Sequence, residues 1–323
     1  MSRCILSLDP LESIPPQAQS IPALVWNDFF KSNKETVDKF SLVESMAQEI
    51  TPLYLEEFQK NAPDQMTKNL FLLCCCYRTP ELSSERFLEI TTLLERPRTL
   101  ILELVVISGK NHLLLSAPLT QADAQSFQTL FEWASKYGNL DCINNIESIA
   151  GDNILEILKA RDYNSFRWAA ANGHLAVVNR LLEIADGNTL EILEADNYDA
   201  FRWAARNGHL AVVDRLLEIA GDNALEMLKA DNYEVFRWAA ENGQLAVVNR
   251  LLEIAGDNAL EMLKADNYEA FRGAARNGHL AEVNRLLEFA GDNALEMLKA
   301  EKYTAFRGAA RNGHLAVVSR LLE

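Results

Sequence analysis

The sequence predicts an all-α chain, an N-terminal helical domain followed by an α-solenoid of six repeats of 35 residues. Recurrence is the main reason. Phe-Arg-Trp-Ala-Ala-x-Asn-Gly-His-Leu-Ala-Val-Val-x-Arg-Leu-Leu-Glu returns, lightly edited, with its opening Phe at 131, 166, 201, 236, 271 and 306. A fixed period of this size marks units that bury their apolar faces only against their neighbours. Within each copy the apolar residues fall at helical spacing, and Gly-containing turns separate the runs. Three segments follow: an extended lead-in at 1–22, a helical domain at 23–120, and the repeat array at 121–323.

The lead-in carries Pro10, Pro15, Pro16 and Pro22, which oppose regular structure. Helical patterns then run over 23–30, 34–49, 53–60, 65–77 and 83–95. Residues 99–115 fit two helices or a hairpin around Gly109; the helical neighbours favour helix. This segment is expected to pack on the first repeat and shield its apolar end, as a terminal cap must.

In the copy at 197–233, Asp196 or Asn197 is expected to cap a helix starting near Tyr198. Phe201, Ala204 and Ala205 form its narrow apolar face, and Asn207-Gly208 makes the turn that ends it. A second helix is predicted from about Leu210 to Ile219, with Leu210, Val213, Leu216 and Leu217 inward and Gly221 as its stop. Then Ala-Leu-Glu-Met-Leu-Lys (224–229), good helix formers behind Asp222 or Asn223 as N-cap, predict a short third helix.

The run Ala-Ala-Arg-Asn-Gly-His-Leu-Ala-Val-Val-x-Arg-Leu-Leu-Glu resembles the helix-turn-helix of an ankyrin repeat, over residues 131–323. Two features depart from that family. The Thr-Pro-Leu-His opening is replaced by forms such as Asp199-Ala200-Phe201-Arg202. The period exceeds the usual value of about 33, and the short third helix stands where ankyrins carry a β-hairpin finger. Repeats with this Arg-Asn-Gly-His-Leu core are similar to those of ankyrin-type effectors that intracellular bacteria inject into host cells. The resemblance implies a protein of the host cytosol that binds another protein through the concave face of its repeats.

The copies differ where a partner would read them. Trp133, Trp168, Trp203 and Trp238 stand in register, then Gly273 and Gly308. Trp203 lies about 200° around the helix from Phe201, off the buried face. It shares a face with the position after Ala-Ala, occupied by Lys136, Ala171, Arg206, Glu241, Arg276 and Arg311. Two readings stay open: an aromatic ladder that anchors a partner, or rings packed on the next repeat as core. The repeated His174, His209, His279 and His314 stand one per repeat, with Gln244 in one slot. That spacing favours hydrogen bonding at the turn over metal binding. Arg167, Arg202, Arg237, Arg272 and Arg307 are expected to bind acids or carbonyls across repeats.

Bulk properties narrow the function. Net charge is −15 and the acid is spread along the chain, which opposes binding to nucleic acid or anionic lipid. The apolar stretch 100–119 is broken by Glu103, Lys110, Asn111 and His112, so no membrane span is expected. Five cysteines, three of them adjacent at 74–76, fit a reducing cytosol better than a disulfide framework. No motif for a phosphate loop, metal or small-molecule cofactor is present. The leading reading is a non-enzymatic interaction module with a host cytosolic protein as partner. The rivals are an enzyme whose N-terminal domain uses Cys74–Cys76, His112 and Asp123, and a structural array that self-assembles. Val317, Leu321 and Leu322 keep the apolar identities of internal copies, so the natural protein is expected to continue or to pair at this end.

Overall fold

The computed structural model describes residues 126–323. The lead-in, the helical domain and the set of Cys74–Cys76, His112 and Asp123 lie outside the described residues. Residues 126–134 with 141–150 belong to one compact unit, and residues 135–140 with 151–323 to another. In the first, Phe127, Leu130, Phe131, Cys142, Ile143 and Ile146 are buried.

The described elements are helical. They are α1 (Phe127–Tyr137), α2 (Leu140–Ala150), α3 (Ile154–Ala171), α4 (Leu175–Ala185), α5 (Thr189–Arg206) and α6 (Leu210–Ala220), followed by α7 (Ala224–Glu241), α8 (Leu245–Ala255), α9 (Ala259–Asn277), α10 (Leu280–Ala290), α11 (Ala294–Arg311) and α12 (Leu315–Leu322). From α3 onward, a long odd-numbered helix alternates with a short even-numbered one, and each long helix packs on the next long helix. The architecture of this array is an all-α solenoid. A helical segment takes the place of the hairpin finger.

Each long helix is two helices joined by a left-handed turn. In α5, Ala195 is extended, and Asp196, Asn197 and Tyr198 have φ of 49°, 55° and 61°. The same break recurs at Arg161–Tyr163, Asp231–Tyr233, Asp266–Tyr268 and Glu301–Tyr303. The helix expected to begin near Tyr198 therefore begins after it, and Asn197 does not cap it. Its side chain instead donates to Asp231 in the next repeat at 2.6 Å, as Asn232 does to Asp266 at 2.8 Å. L-residues pay about 1–2 kcal/mol each for this conformation, less for Asn and Asp, so something must hold the turn.

The arginine of Phe-Arg-Trp holds it. Arg202 donates to the Asp196 carbonyl at 3.1 Å, Arg237 to that of Asp231 at 3.0 Å and Arg272 to that of Asp266 at 2.9 Å. Arg167 and Arg307 reach the Arg161 and Glu301 carbonyls in the same way. The other terminal nitrogen of Arg202 donates to Asp231 at 2.7 Å and Glu234 at 2.5 Å, both in the following repeat. The tyrosine that ends the left-handed turn packs inward in three of the five turns, is half-buried at Tyr198 and is exposed at Tyr303. Tyr163, Tyr233 and Tyr268 are buried, their phenols facing Glu191, Glu261 and Glu296 of the next repeat. Burial first, then the glutamate, pushes the phenols of Tyr233 and Tyr268 up to about 12.

The other expected N-cap also differs. Asn223 has αR backbone and makes no side-chain cap bond. A cap needs extended backbone. The 3-10 turn Gly221–Asn223 instead leads straight into α7, the Ala224 N–H donating to Gly221.

The helix-turn-helix forms as expected. Gly208 has φ of 79°, and the His209 N–H closes the turn on the Ala204 carbonyl at 2.9 Å. His209 Nε2–H donates to the Ala171 carbonyl of the preceding repeat at 3.0 Å, and His174 to that of Lys136 at 2.8 Å. A carbonyl only accepts, so Nε2 carries the proton. The ring also lies on the preceding turn: a Cβ on Gly173 would stand 2.4 Å from His209 Nδ1. Positive φ and the histidine ring therefore both require glycine there. In α6 the buried set is Val212, Val213, Leu216, Leu217 and Ala220. Leu210, expected inward, is only half-buried because it is the first residue out of the turn. At the last repeat, Val317 is buried while Leu315 and Leu322 are exposed.

Two expectations follow. Lys302 occupies the left-handed position that Asn fills at 197, 232 and 267. Lys302→Asn should raise stability by about 0.5 kcal/mol, read as a higher urea midpoint at unchanged m. His174 is held below the ordinary imidazole range by burial, against its bond to Lys136, with the charge of His209 adding to the depression. The unfolded chain then takes up a proton as pH falls below about 6.5, while folded His174 resists it. Its stabilising share is full above that pH and lost as pH falls through the lower folded value. Calorimetry at pH 7.5 and 5.5 should show a fall in Tm on acidification that is smaller in His174→Gln, the residue natural to this slot at 244.

Candidate functional site

The position two residues beyond the buried Phe leaves the core, and at Trp203 it meets its counterpart in the next repeat. Trp203 and Trp238 stand with ring centroids 5.7 Å apart and planes tilted by 58°. Both are half-buried, and Trp168 is 39% exposed. Trp133, also half-buried, belongs to the other compact unit. Trp203 and Trp238 thus pack sideways along the array, and Trp168, Trp203 and Trp238 each keep an open side.

Cations lie on these rings. Arg206 covers Trp203 at 4.6 Å and Trp238 at 5.2 Å, Lys136 covers Trp168 at 4.5 Å, and Arg202 approaches Trp238 at 5.7 Å. Partly exposed contacts of this kind contribute about 0.5–1 kcal/mol each and fix the orientation of both partners. Under Trp203 lies Asp199, between Arg167 and Arg202 at 3.3 Å from each. Burial raises its carboxyl despite both guanidiniums, and a hydrogen bond from Trp203 works against the rise.

Beyond Trp238 the face changes character. Arg276 bonds Glu241 at 2.7 Å, joining two repeats through the same position, and reaches Glu269 at 3.5 Å. Arg311 is exposed and makes no ion pair among the described residues. A Cβ on Gly273 would meet Glu241 Cβ at 3.2 Å, and one on Gly308 would meet Arg276 Cβ at 3.2 Å. At the α7–α9 and α9–α11 junctions the neighbouring side chain stands within contact distance of a Cβ at this position, which leaves no room for an indole.

A second ladder runs along the short helices, and the sequence reading missed it. Arg215 bonds Asn179 at 2.9 Å, Arg250 bonds Asp214 at 2.7 Å, Arg285 bonds Asn249 at 2.6 Å and Arg320 bonds Asn284 at 2.7 Å. The restriction of these partner positions to Asn and Asp was its signal.

Among the described residues no group of three His, Cys, Asp or Glu is arranged for a metal ion. No described helix is long and apolar enough to cross a membrane. Cys142 is buried, its thiol pushed up to about 12 by burial and then by Asp141, far from a reactive thiolate.

Residues 166–262 and 236–323 match the family model for ankyrin repeats, so the array from Phe166 onward carries ankyrin repeats. None of the curated proteins compared with the chain matches it. A solved structure, an ankyrin repeat family protein from Legionella pneumophila, aligns at 23% identity over 95% of this chain and 93% of that one, with a TM-score of 0.40.

The close approach at Gly273 is directly testable. Gly273→Trp restores the residue of the earlier copies yet should destabilise the chain by about 1–3 kcal/mol through overpacking. Thermal melts beside Trp238→Gly would check this.

Proposed function

We propose that this chain, with ankyrin repeats as its binding frame, is a non-catalytic interaction protein that holds a host cytosolic protein against the concave face of its array. The face comprises Trp168, Trp203 and Trp238 with Lys136, Arg206, Glu241, Arg276 and Arg311, while Trp133 belongs to the other compact unit. The observation that carries the reading is the row of partly open indoles from Trp168 to Trp238, each with a cation laid on it. Large aromatics held rigid by their neighbours are the side chains that most often dominate interface energy. They lose little entropy on binding, because the ladder has already oriented them.

The cellular setting follows from the resemblance of the Arg-Asn-Gly-His-Leu cores to those of injected bacterial effectors. In that setting the chain acts by occupying a host protein in the host cytosol. It needs no metal or small-molecule cofactor.

Affinity capture from host-type cell lysate tests the reading. The intact chain is run beside a variant carrying Trp168→Ala, Trp203→Ala and Trp238→Ala, with folding of both checked by circular dichroism. One partner held by the intact chain and lost from the folded variant is the expected result. Equal retention by both would place the binding surface elsewhere.

A further inference from the structure

Arg206 shares with the exposed Arg311 a guanidinium without an ion pair among the described residues, and of the two only Arg206 rests on indoles. Arg167, Arg202, Arg237, Arg272, Arg276 and Arg307 each bond a carboxylate, a hydroxyl or a backbone carbonyl. Arg206 makes no hydrogen bond and no ion pair among the described residues, although its guanidinium rests on Trp203 and Trp238 at 4.6 and 5.2 Å. The register explains this. Equivalent positions in successive repeats lie within ion-pair reach, as Arg276 and Glu241 demonstrate at 2.7 Å. On one side of Arg206 that position holds Ala171, which has no charge. On the other it holds Glu241, already engaged by Arg276.

A π face attracts the charge of a guanidinium but accepts few of its five N–H groups, which leaves donors for an acceptor. A planar two-oxygen acceptor matches the guanidinium fork. We infer that Arg206, held over the rings of Trp203 and Trp238, receives an Asp or Glu carboxylate from an acidic segment of the partner protein. This rests on the function proposed above and names the chemistry that the partner brings to it. A carboxylate fits better than a phosphate. Arg206 is a single cation rather than a cluster, and Asp199, Glu234 and Glu241 surround these rings through their bonds to Trp203, Arg202 and Arg276. A second negative charge on the ligand would be repelled by them. The partner segment then places its acid on Arg206 and an apolar side chain on the open indole of Trp168.

A displayed library of 12-residue peptides, panned on the full chain, tests this. Binding of the enriched peptides is measured by fluorescence anisotropy on the parent, on the Trp168→Ala, Trp203→Ala and Trp238→Ala variant, and on Arg206→Ala and Arg206→Lys, each checked for folding by circular dichroism. Peptides that depend on the tryptophans are expected to share an Asp or Glu. Changing that acid to its amide, or Arg206 to Ala, should weaken binding by roughly tenfold, and combining the two should add little. Arg206→Lys, which lacks the fork, should not restore binding. Tryptophan-dependent peptides that share no acid, or that bind Arg206→Ala as tightly as the parent, would overturn the inference and leave the proposed function standing. Tighter binding when phosphoserine replaces the acid would overturn it in favour of phosphate recognition. If no enriched peptide depends on the tryptophans, the inference falls together with the reading beneath it.

Discussion

Much of the array depends on one contact, the guanidinium of each Phe-Arg-Trp on the carbonyl that opens the left-handed turn six residues earlier. That turn breaks each long helix and re-aims the chain. It lets the segment from Thr189 lie in the place of a hairpin finger while Phe201, Ala204 and Ala205 face the core. Three consecutive residues at positive φ are unfavourable for an L-chain, and a tyrosine among them is more so. The carbonyls released from the helical ladder would also be left to water. The arginine supplies the donor. The same side chain then reaches the acid of the following repeat, so local conformation and stacking between neighbours are coupled through one residue.

This coupling explains why the motif repeats so closely. In a solenoid each unit is stabilised by its neighbours, so a device that joins two units recurs along the array, although the histidine row lapses at Gln244, whose amide donates to Asn242 of its own repeat. Four such devices run in parallel: Arg202 to Asp231 and Glu234, Asn197 to Asp231, His209 to the Ala171 carbonyl, and Arg215 to Asn179. Individually they are modest, since partly exposed ion pairs contribute about 0–1 kcal/mol. The apolar core contributes more, with Phe166, Phe201, Phe236 and Phe271 buried in register. The polar rows fix register, because a slip between repeats would part several of them together.

The sequence revealed the period, the turn and the second helix closely: Gly208 adopts the positive φ expected of it, and α6 ends one residue beyond the expected Ile219. The arginine and histidine rows were also legible, because a polar residue repeated at the edge of an apolar face must have a recurring partner. The left-handed turn was not. Asp-Asn before an apolar run is the ordinary sign of an N-cap, and the same residues are those that tolerate positive φ. What selects between the two lies outside the segment, in Arg202 and in Asp231 of the next repeat. The openness of the tryptophans was undecided for a related reason. Helical angle places Trp203 off the core, but only the separation of adjacent helices decides whether Trp238 covers it.

The space at each junction also divides the face in two. An indole at 273 would need room that Glu241 occupies, and in that half Glu241 and Arg276 instead meet across the junction. The other half holds the rings and the cations over them, and there the pairing along the row fails at Arg206, between Ala171 and an engaged Glu241. The substitution of Gly for Trp and the unspent donors of Arg206 are therefore parts of one arrangement. Pairing in one half of the face takes up the acid that would otherwise have neutralised the cation at the edge of the other.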